Sequence, residues 1–272
     1  MDEIGRTLAD AGVAVADAEA RWIVEAAAGR SRAELLVAGG LRDDVTERAR
    51  TLAARRAAGE PLQYVTGIAG FRRLDLAVGP GVLIPRPETE SVAGRAMERL
   101  PPGGSAADVG TGSGAIALSI ADERPDARVL ATDSSNAALE WARRNAYDLG
   151  LSVELFRCDL LDGLPAELQR HLDVCVSNPP YVSFSERHIL PADVLEHEPP
   201  EALFAGEDGL QMIAKVAGEA LRWLRRGGWL VLEIGERQGL GVRRLLEEKG
   251  YDEVSILPDL AGRHRIAEGK RR

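Results

Sequence analysis

Ser177-Asn178-Pro179-Pro180-Tyr181 follows an apolar run, Leu172 to Val176, that reads as a buried parallel strand. A turn of this kind at the carboxyl end of such a strand makes a rigid pocket where α/β sheets bind ligands. The two prolines fix φ and take away two backbone donors. What remains is the Asn178 side-chain oxygen, the Pro179 carbonyl and the ring of Tyr181. Two in-plane acceptors and an aromatic face to stack on suit a planar NH2 group. An isolated Pro-Pro would read as a plain strand-ending turn; the whole segment in this context reads as a binding pocket.

A second constellation lies upstream. Asp108-Val109-Gly110-Thr111-Gly112-Ser113-Gly114-Ala115 joins a strand to a helix, and its glycines permit a tight turn and close backbone approach to a ligand. Gly110, Gly112 and Ala115 also satisfy the dinucleotide pattern GxGxx[GA], so the turn alone leaves the cofactor open. Asp133, about 20 residues on at the end of the second strand, fits a ribose-hydroxyl acceptor for either cofactor. Asp108 favours S-adenosylmethionine, a cation whose amino-acid moiety welcomes nearby carboxylates. Asp159 ends the third strand, where it is either a polar strand end or an acceptor for an adenine amino group. With the Asn178 turn, four successive strand ends point one way. A methyl transfer to nitrogen gives the two-acceptor cage a purpose that a hydride transfer does not.

The elements that must position these residues alternate. Strands are expected at 106–109, 128–132, 153–156, 172–177, 228–234 and 253–257, and helices at 115–123, 136–149, 210–224 and 239–249. That order means a doubly wound parallel α/β sheet with helices on both faces. Pro87 suits the first position of a further helix, with Glu88 and Glu90 favourable in its first turn. Helix-start chemistry does not account for Arg86 between two prolines.

The chain divides near residue 60. Residues 1–60 read as a small helical bundle, with Ile4, Leu8 and Ala11 on one stripe and Ala18, Trp22 and Ala26 on another. Ser31 to Glu34 matches a capping box for a third helix, closed by Gly39-Gly40. Asp43 to Ala58 suits a fourth, stopped by Gly59 and Pro61. Residues 61–82 read as a β-hairpin linker, with strands at Gln63–Thr66 and Phe71–Val78, and residues 83–272 as the catalytic domain.

At 272 residues, 45% hydrophobic and 28% charged, the chain can bury a sizeable core. No apolar run approaches membrane-spanning length and the N-terminus lacks signal-peptide character, so a cytoplasmic protein is expected. Cys158 and Cys175 read as buried reduced thiols, and the four histidines show no metal-ligand spacing, so no metal is implied. A net charge of −9 argues against stable duplex nucleic-acid binding by wide phosphate neutralisation.

Taken together, Leu62-Gln-Tyr64, Leu83-Ile-Pro-Arg-Pro-Glu-Thr-Glu90, Asp108 to Gly114, Asn178-Pro-Pro-Tyr181 and Glu198-Pro-Pro-Glu-Ala-Leu203 resemble the HemK/PrmC family. These are the glutamine N5-methyltransferases of class 1 peptide-chain release factors. The resemblance runs from about residue 59 to the C-terminus, and the N-terminal piece is similar in kind. Asn-Pro-Pro-Tyr is shared with adenine-N6 and guanine-N2 methyltransferases, whereas the Pro-Arg-Pro-Glu-Thr-Glu segment is far more specific.

The resemblance implies a seven-stranded Rossmann-like methyltransferase domain. It implies that Gly110, Thr111, Gly112, Ser113, Gly114, Asp133, Asp159, Leu160 and Asn178 bind S-adenosylmethionine. Leu160 stands where members often carry an aromatic. The substrate would be the glutamine of a Gly-Gly-Gln loop, bound by Asn178, Pro179, Pro180 and Tyr181. Asn178 and Pro179 would draw on both amide N–H bonds while Tyr181 orients the amide plane. No general base is needed if the proton leaves after the methyl arrives, and Glu198 reads as a surface acid. Two further readings stay open: a methyltransferase for a base amine, and a non-enzymatic interaction module.

Overall fold

A computed structural model describes residues 2–37 and 40–272. The chain forms two compact units. The first takes the residues up to Ala69 together with Val78–Pro80 and Leu190–Glu198; the second takes Gly70–Ala77, Gly81–Ile189 and Pro199–Arg272.

In the first unit, α1 (Asp2–Asp10), α2 (Ala16–Ala28), α3 (Arg32–Val37), α4 (Asp43–Ala57) and α5 (Leu62–Thr66) follow one another. Ile4 and Leu8 are buried with Ile23, Val24, Val45, Ala49, Ala53 and Val65. Ala11 lies beyond α1 and is exposed. The expected stripe on α2 is corrected: Ala20, Ile23, Val24 and Ala27 are buried, while Trp22 is 51% exposed. Ile23 and Val24 together bring more branched apolar surface than Ala18 and Ala26, so the helix turns to bury them. That rotation draws in Glu19, which Arg56 pairs at 2.6 Å. The capping box forms, with Ser31 N–H donating to the Glu34 carboxylate at 2.8 Å and Glu34 N–H to Ser31 Oγ at 3.4 Å. Of the Gly39-Gly40 stop, Gly39 lies outside the described residues.

The linker strand expected at Gln63–Thr66 is instead α5. Pro61 carbonyl accepts from Tyr64 and Val65 N–H at 3.0 Å each, and Gly67 ends the turn at φ 78°, a conformation glycine adopts without strain. The β-forming residues are overruled by a proline and a glycine that bracket one helical segment. The hairpin that follows pairs β1 (Ile68–Phe71) with β2 (Leu74–Ala77).

In the second unit, α6 (Pro87–Arg99) opens with Pro87 as expected, and β3 (Ser105–Val109), α7 (Ala115–Glu123), β4 (Arg128–Asp133), α8 (Asn136–Leu149), β5 (Glu154–Arg157) and β6 (Leu172–Ser177) follow. After α9 (Ala192–His197), which belongs to the first unit, come α10 (Gln211–Trp223), β7 (Leu224–Glu233), α11 (Gly239–Lys249), β8 (Tyr251–Pro258) and β9 (His264–Arg271). The seven-stranded sheet runs β5-β4-β3-β6-β7-β9-β8. Alternate residues feed two cores. Trp229 and Val231 of β7 pack with α6 and α7, while Leu230 and Leu232 pack with α10 and α11.

Strand order reverses between β3 and β6, which are paired in parallel through Ala107 and Cys175. A crevice opens at such a reversal, outside the carboxyl ends of the strands. Val109–Gly110 and Ser177–Asn178 end the two strands there, and Ser177 Oγ donates to the Val109 carbonyl at 2.6 Å.

The sheet is not wholly parallel, which corrects the expectation. β9 runs antiparallel to both β7 and β8. Its four charged residues disguise it, yet Ile266 and Ala267 are core and Glu268 is fully buried. Glu268 is held by Arg95 at 2.7 Å and by Arg99 at 3.1 Å or closer, both from α6. Removing one partner of a buried ion pair leaves the rest uncompensated. Glu268→Ala should therefore cost about 3 kcal/mol of stability. The measurement is a lower urea midpoint at an unchanged denaturant slope.

Candidate active site

The carboxyl ends of β3, β4, β5 and β6 surround a cavity of about 230 Å³. Gly110, Asp133, Asp159, Leu160, Asn178, Pro179 and Pro180 line it, with Glu201 and Met212 from the segments that follow. Leu160 is one wall, and its backbone stands at φ 50°, a left-handed conformation costly for a branched-chain residue. Cys158 also lines the cavity and is half-buried, so only Cys175 is the buried thiol the sequence suggests for both.

Thr111, Gly112, Ser113 and Gly114 do not line this cavity; they form the turn that shapes it. Gly110 and Thr111 N–H both donate to the Thr132 carbonyl at 2.9 Å. Gly112 N–H donates to Asp133 Oδ2 at 3.0 Å, and Gly114 N–H to the Thr111 carbonyl at 2.9 Å. The N–H groups of Gly110, Thr111, Gly112 and Gly114 are thus engaged within the protein. At Gly114, φ is 86° and an added Cβ would meet Leu118 Cδ1 at 2.8 Å, so only glycine closes the turn.

Asp133 is set by Gly112 N–H and by Ser135 N–H at 2.9 Å, one on each oxygen, which leaves lone pairs on both for a ligand diol. Asp108 lies elsewhere than its sequence position suggests. It is buried beneath the turn, where its Oδ2 accepts from Thr111 Oγ1 at 2.6 Å and Ala117 N–H at 3.2 Å. Burial pushes its pKa up to about 7, partly opposed by those two donors. It braces the loop.

Around the Asn178 turn a second, smaller space of about 50 Å³ is lined by Leu83, Arg86, Asn178, Pro179, Pro180 and Tyr181, among others. Asn178 Nδ2 donates to Thr89 Oγ1 at 3.2 Å, and Thr89 Oγ1 donates to Glu233 Oε2 at 2.5 Å. Tyr181 Oη donates to Glu233 Oε1 at 3.1 Å. Glu233 is 1% exposed, and burial pushes its pKa up to about 7, against the hydrogen bonds from Thr89 and Tyr181. Burial and the Glu233 charge also push the Tyr181 phenol well above its ordinary value.

The comparisons with known proteins fit this geometry. Residues 1–67 match the family model of the PrmC N-terminal domain, and residues 95–215 that of the methyltransferase small domain. The release factor glutamine methyltransferase of Neisseria gonorrhoeae is 45% identical over 255 residues, covering 93% of this chain and 92% of its own. A protein of the same name from Streptomyces coelicolor is 42% identical over 271 residues, covering 97% and 94%. The chain belongs to the release factor glutamine methyltransferase family. A Pyrococcus furiosus methyltransferase shares the fold, with a TM-score of 0.55 at 21% identity over 84% of this chain and 99% of that one. The catalytic domain of hMettl16 does so too, with a TM-score of 0.56 at 18% identity over 81% of each.

Within this family member, Glu88, Thr89 and Glu90 of the Pro85 to Glu90 segment are each held by a partner. Thr89 faces Asn178 and Glu233, Glu88 pairs with Arg263 at 2.8 Å, and Glu90 accepts from Arg72 N–H at 3.0 Å. Glu198 is 3% exposed and lies in the first unit, so the expected surface acid is a buried one. Glu233 is absent from the sequence reading; its signal is a lone acid closing the apolar run Leu230 to Leu232.

The far side of the turn is clamped through its backbone. Gln238 Nε2 donates to the Tyr181 carbonyl at 2.9 Å, and Gln238 Oε1 accepts from Gly235 N–H at 2.8 Å. Gly209, at φ 70°, passes so close that a Cβ would stand 2.2 Å from the Tyr181 carbonyl oxygen. Gly209→Ala must therefore shift the turn. A displacement of about 1 Å at a reacting centre can cost about 10²-fold, so kcat should fall on that scale while cofactor affinity in calorimetry changes little.

Proposed function

We propose that the protein transfers the methyl group of S-adenosylmethionine to the side-chain amide nitrogen of the glutamine in the Gly-Gly-Gln motif of class 1 release factors. The observation that carries this reading is the orientation of Asn178. Its Nδ2 is committed to Thr89, so Oδ1 is left as an acceptor, and the Pro179 carbonyl follows it in the same turn. An incoming primary amide has two N–H bonds to offer such a pair. Among the described residues neither acceptor is otherwise engaged.

On this reading Gly110, Asp133, Asp159, Leu160 and Asn178 hold the cofactor along the larger cavity, with Thr111, Gly112, Ser113 and Gly114 as its supporting turn. When bound, S-adenosylmethionine supplies an electrophilic methyl group on a sulfonium. The chain supplies alignment. Asn178 Oδ1 and the Pro179 carbonyl accept the amide N–H bonds and draw the nitrogen towards a pyramidal, more nucleophilic form. Pro180 keeps the turn rigid, and Tyr181 packs beside the amide plane. Both N–H protons stay on the nitrogen while the methyl leaves the sulfonium, and one is then released to solvent, so a titrating base is not required during transfer.

Residues 1–60 dock the release factor, residues 61–82 link, and residues 83–272 carry the chemistry, all in the cytoplasm. Among the described residues no helix is long and apolar enough to cross a membrane. A net charge of −9 favours a protein substrate over a nucleic acid, and stable nucleic-acid binding is not expected. Val15, Trp22, Leu36 and Val37 of the helical unit are between 51% and 89% exposed, apolar surface of the kind a partner covers.

The deciding experiment offers labelled S-adenosylmethionine with release factor, RNA and DNA in parallel; label should enter only the release factor. Asn178→Ala should lower kcat by about 10²–10³ with the fold intact, and Asn178→Asp should retain part of the activity. Asp133→Ala should weaken cofactor binding in calorimetry by about 1.5–3 kcal/mol. Wild-type turnover by Asn178→Ala overturns the mechanism, and unchanged affinity in Asp133→Ala removes the ribose assignment.

Trp22→Ala tests docking separately. KM for intact release factor should rise about tenfold, a loss of about 1.4 kcal/mol, while KM for a short Gly-Gly-Gln peptide stays unchanged. Equal shifts on both substrates would sink the docking role of that face.

A further inference from the structure

We infer that Glu233 and Thr89 are positioning residues for the transfer: one buried carboxylate orients both side chains that receive the substrate amide, Tyr181 directly and Asn178 through the Thr89 hydroxyl. The inference rests on the assignment of Asn178 and Tyr181 to the substrate amide.

The direction of the hydrogen bonds carries the argument. The Thr89 hydroxyl has one proton, and at 2.5 Å from Glu233 Oε2 that proton belongs to the carboxylate. Its lone pairs then accept from Asn178 at 3.2 Å, so Asn178 must present Nδ2 to Thr89 and turn Oδ1 the other way. The second carboxylate oxygen takes the Tyr181 hydroxyl at 3.1 Å, which anchors the ring edge. An amide of the same shape at position 233 would break this order. It can offer an N–H towards Thr89, freeing the hydroxyl proton to seek Asn178 Oδ1. The asparagine amide would then flip, and the acceptor that the substrate needs would be spent inside the protein.

Thr89 is 4% exposed and sits in the first turn of α6, so the hydroxyl is held with little freedom. The network is therefore preorganised before substrate arrives, which is the condition under which fixed dipoles contribute to rate. It also gives the threonine of the Pro85 to Glu90 segment a role.

The arrangement carries a pH signature. Around Glu233, the Thr89 and Tyr181 hydroxyls and the Arg265 charge favour the ionised form, while burial and the Glu88 charge oppose it. The balance puts its pKa at about 7. The ionised form accepts both hydroxyl protons, so kcat should rise as pH increases through about 7. Asp108 titrates in the same region but braces the glycine turn through Thr111 and Ala117. A change at Glu233 therefore separates the two.

The test measures kcat, KM for release factor, cofactor affinity and melting temperature for Glu233→Gln, Thr89→Val and Thr89→Ser, with Asn178→Ala as reference. Glu233→Gln and Thr89→Val should lose about 10- to 100-fold in kcat, with cofactor affinity near wild type. Thr89→Ser keeps the hydroxyl and should restore most of the rate. Glu233→Gln should also abolish the rise in kcat across neutral pH. Wild-type kcat in Thr89→Val while Asn178→Ala is inactive overturns this inference alone; wild-type kcat in Asn178→Ala overturns the underlying assignment. Thr89→Ser as slow as Thr89→Val, or losses that track a fall in melting temperature and cofactor affinity, would make the role structural and also overturn it.

Discussion

A carboxylate buried at a strand end is stable only where donors reach it, because a buried charge without partners is among the most costly groups in a protein. At Glu233 the donors come from two separate segments, Thr89 at the start of α6 and Tyr181 in the turn after β6. Satisfying one charge at the end of β7 therefore fixes the entry of a helix and the shape of a neighbouring turn together. Asn178 is drawn into the same arrangement through Thr89, and Gln238 and the close passage of Gly209 hold the turn from its backbone side. The smaller pocket is rigid because its parts are hydrogen-bonded to one another before any substrate is present.

The larger cavity depends on a different constraint. A parallel sheet whose order reverses leaves two adjacent strand ends whose connections depart in opposite directions. Here those ends are Val109 and Ser177, tied together by the Ser177 hydroxyl. The glycine turn above them is organised by its own backbone and by Asp133, with Asp108 bracing it from below. The loop keeps Asp133 poised for a ligand diol. Asn178 lies on the rim of both spaces, which brings a cofactor site and an amide pocket to one side chain.

Where structure and sequence part, each departure has a local physical reason. In α2 the branched side chains outweigh the alanines and the helix rotates, leaving Trp22 in solvent. In α5 a proline and a glycine bracket residues of high β-propensity and make one helical segment of them. In β9 a fully buried Glu268 defeats the expectation that a core strand reads apolar, because Arg95 and Arg99 reach it from a helix about 170 residues away in sequence. Glu198 is hidden by the same logic: an acid reads as surface until its surroundings are known.

The sequence by itself determined the alternation of strands and helices, the glycine turn, Asp133 at the second strand end and the Asn178-Pro-Pro-Tyr181 turn. Each of these is a local pattern, set by periodicity, by allowed φ values or by the position of a residue at the end of its own strand. The tertiary structure alone decided which way Asn178 points, that Asp108 braces the loop beneath the cavity, and that Glu233 joins Thr89 to Tyr181. The Asn178 and Glu233 outcomes depend on hydrogen bonds between elements as far as 144 residues apart, and no spacing along the chain encodes which donor a buried oxygen will find.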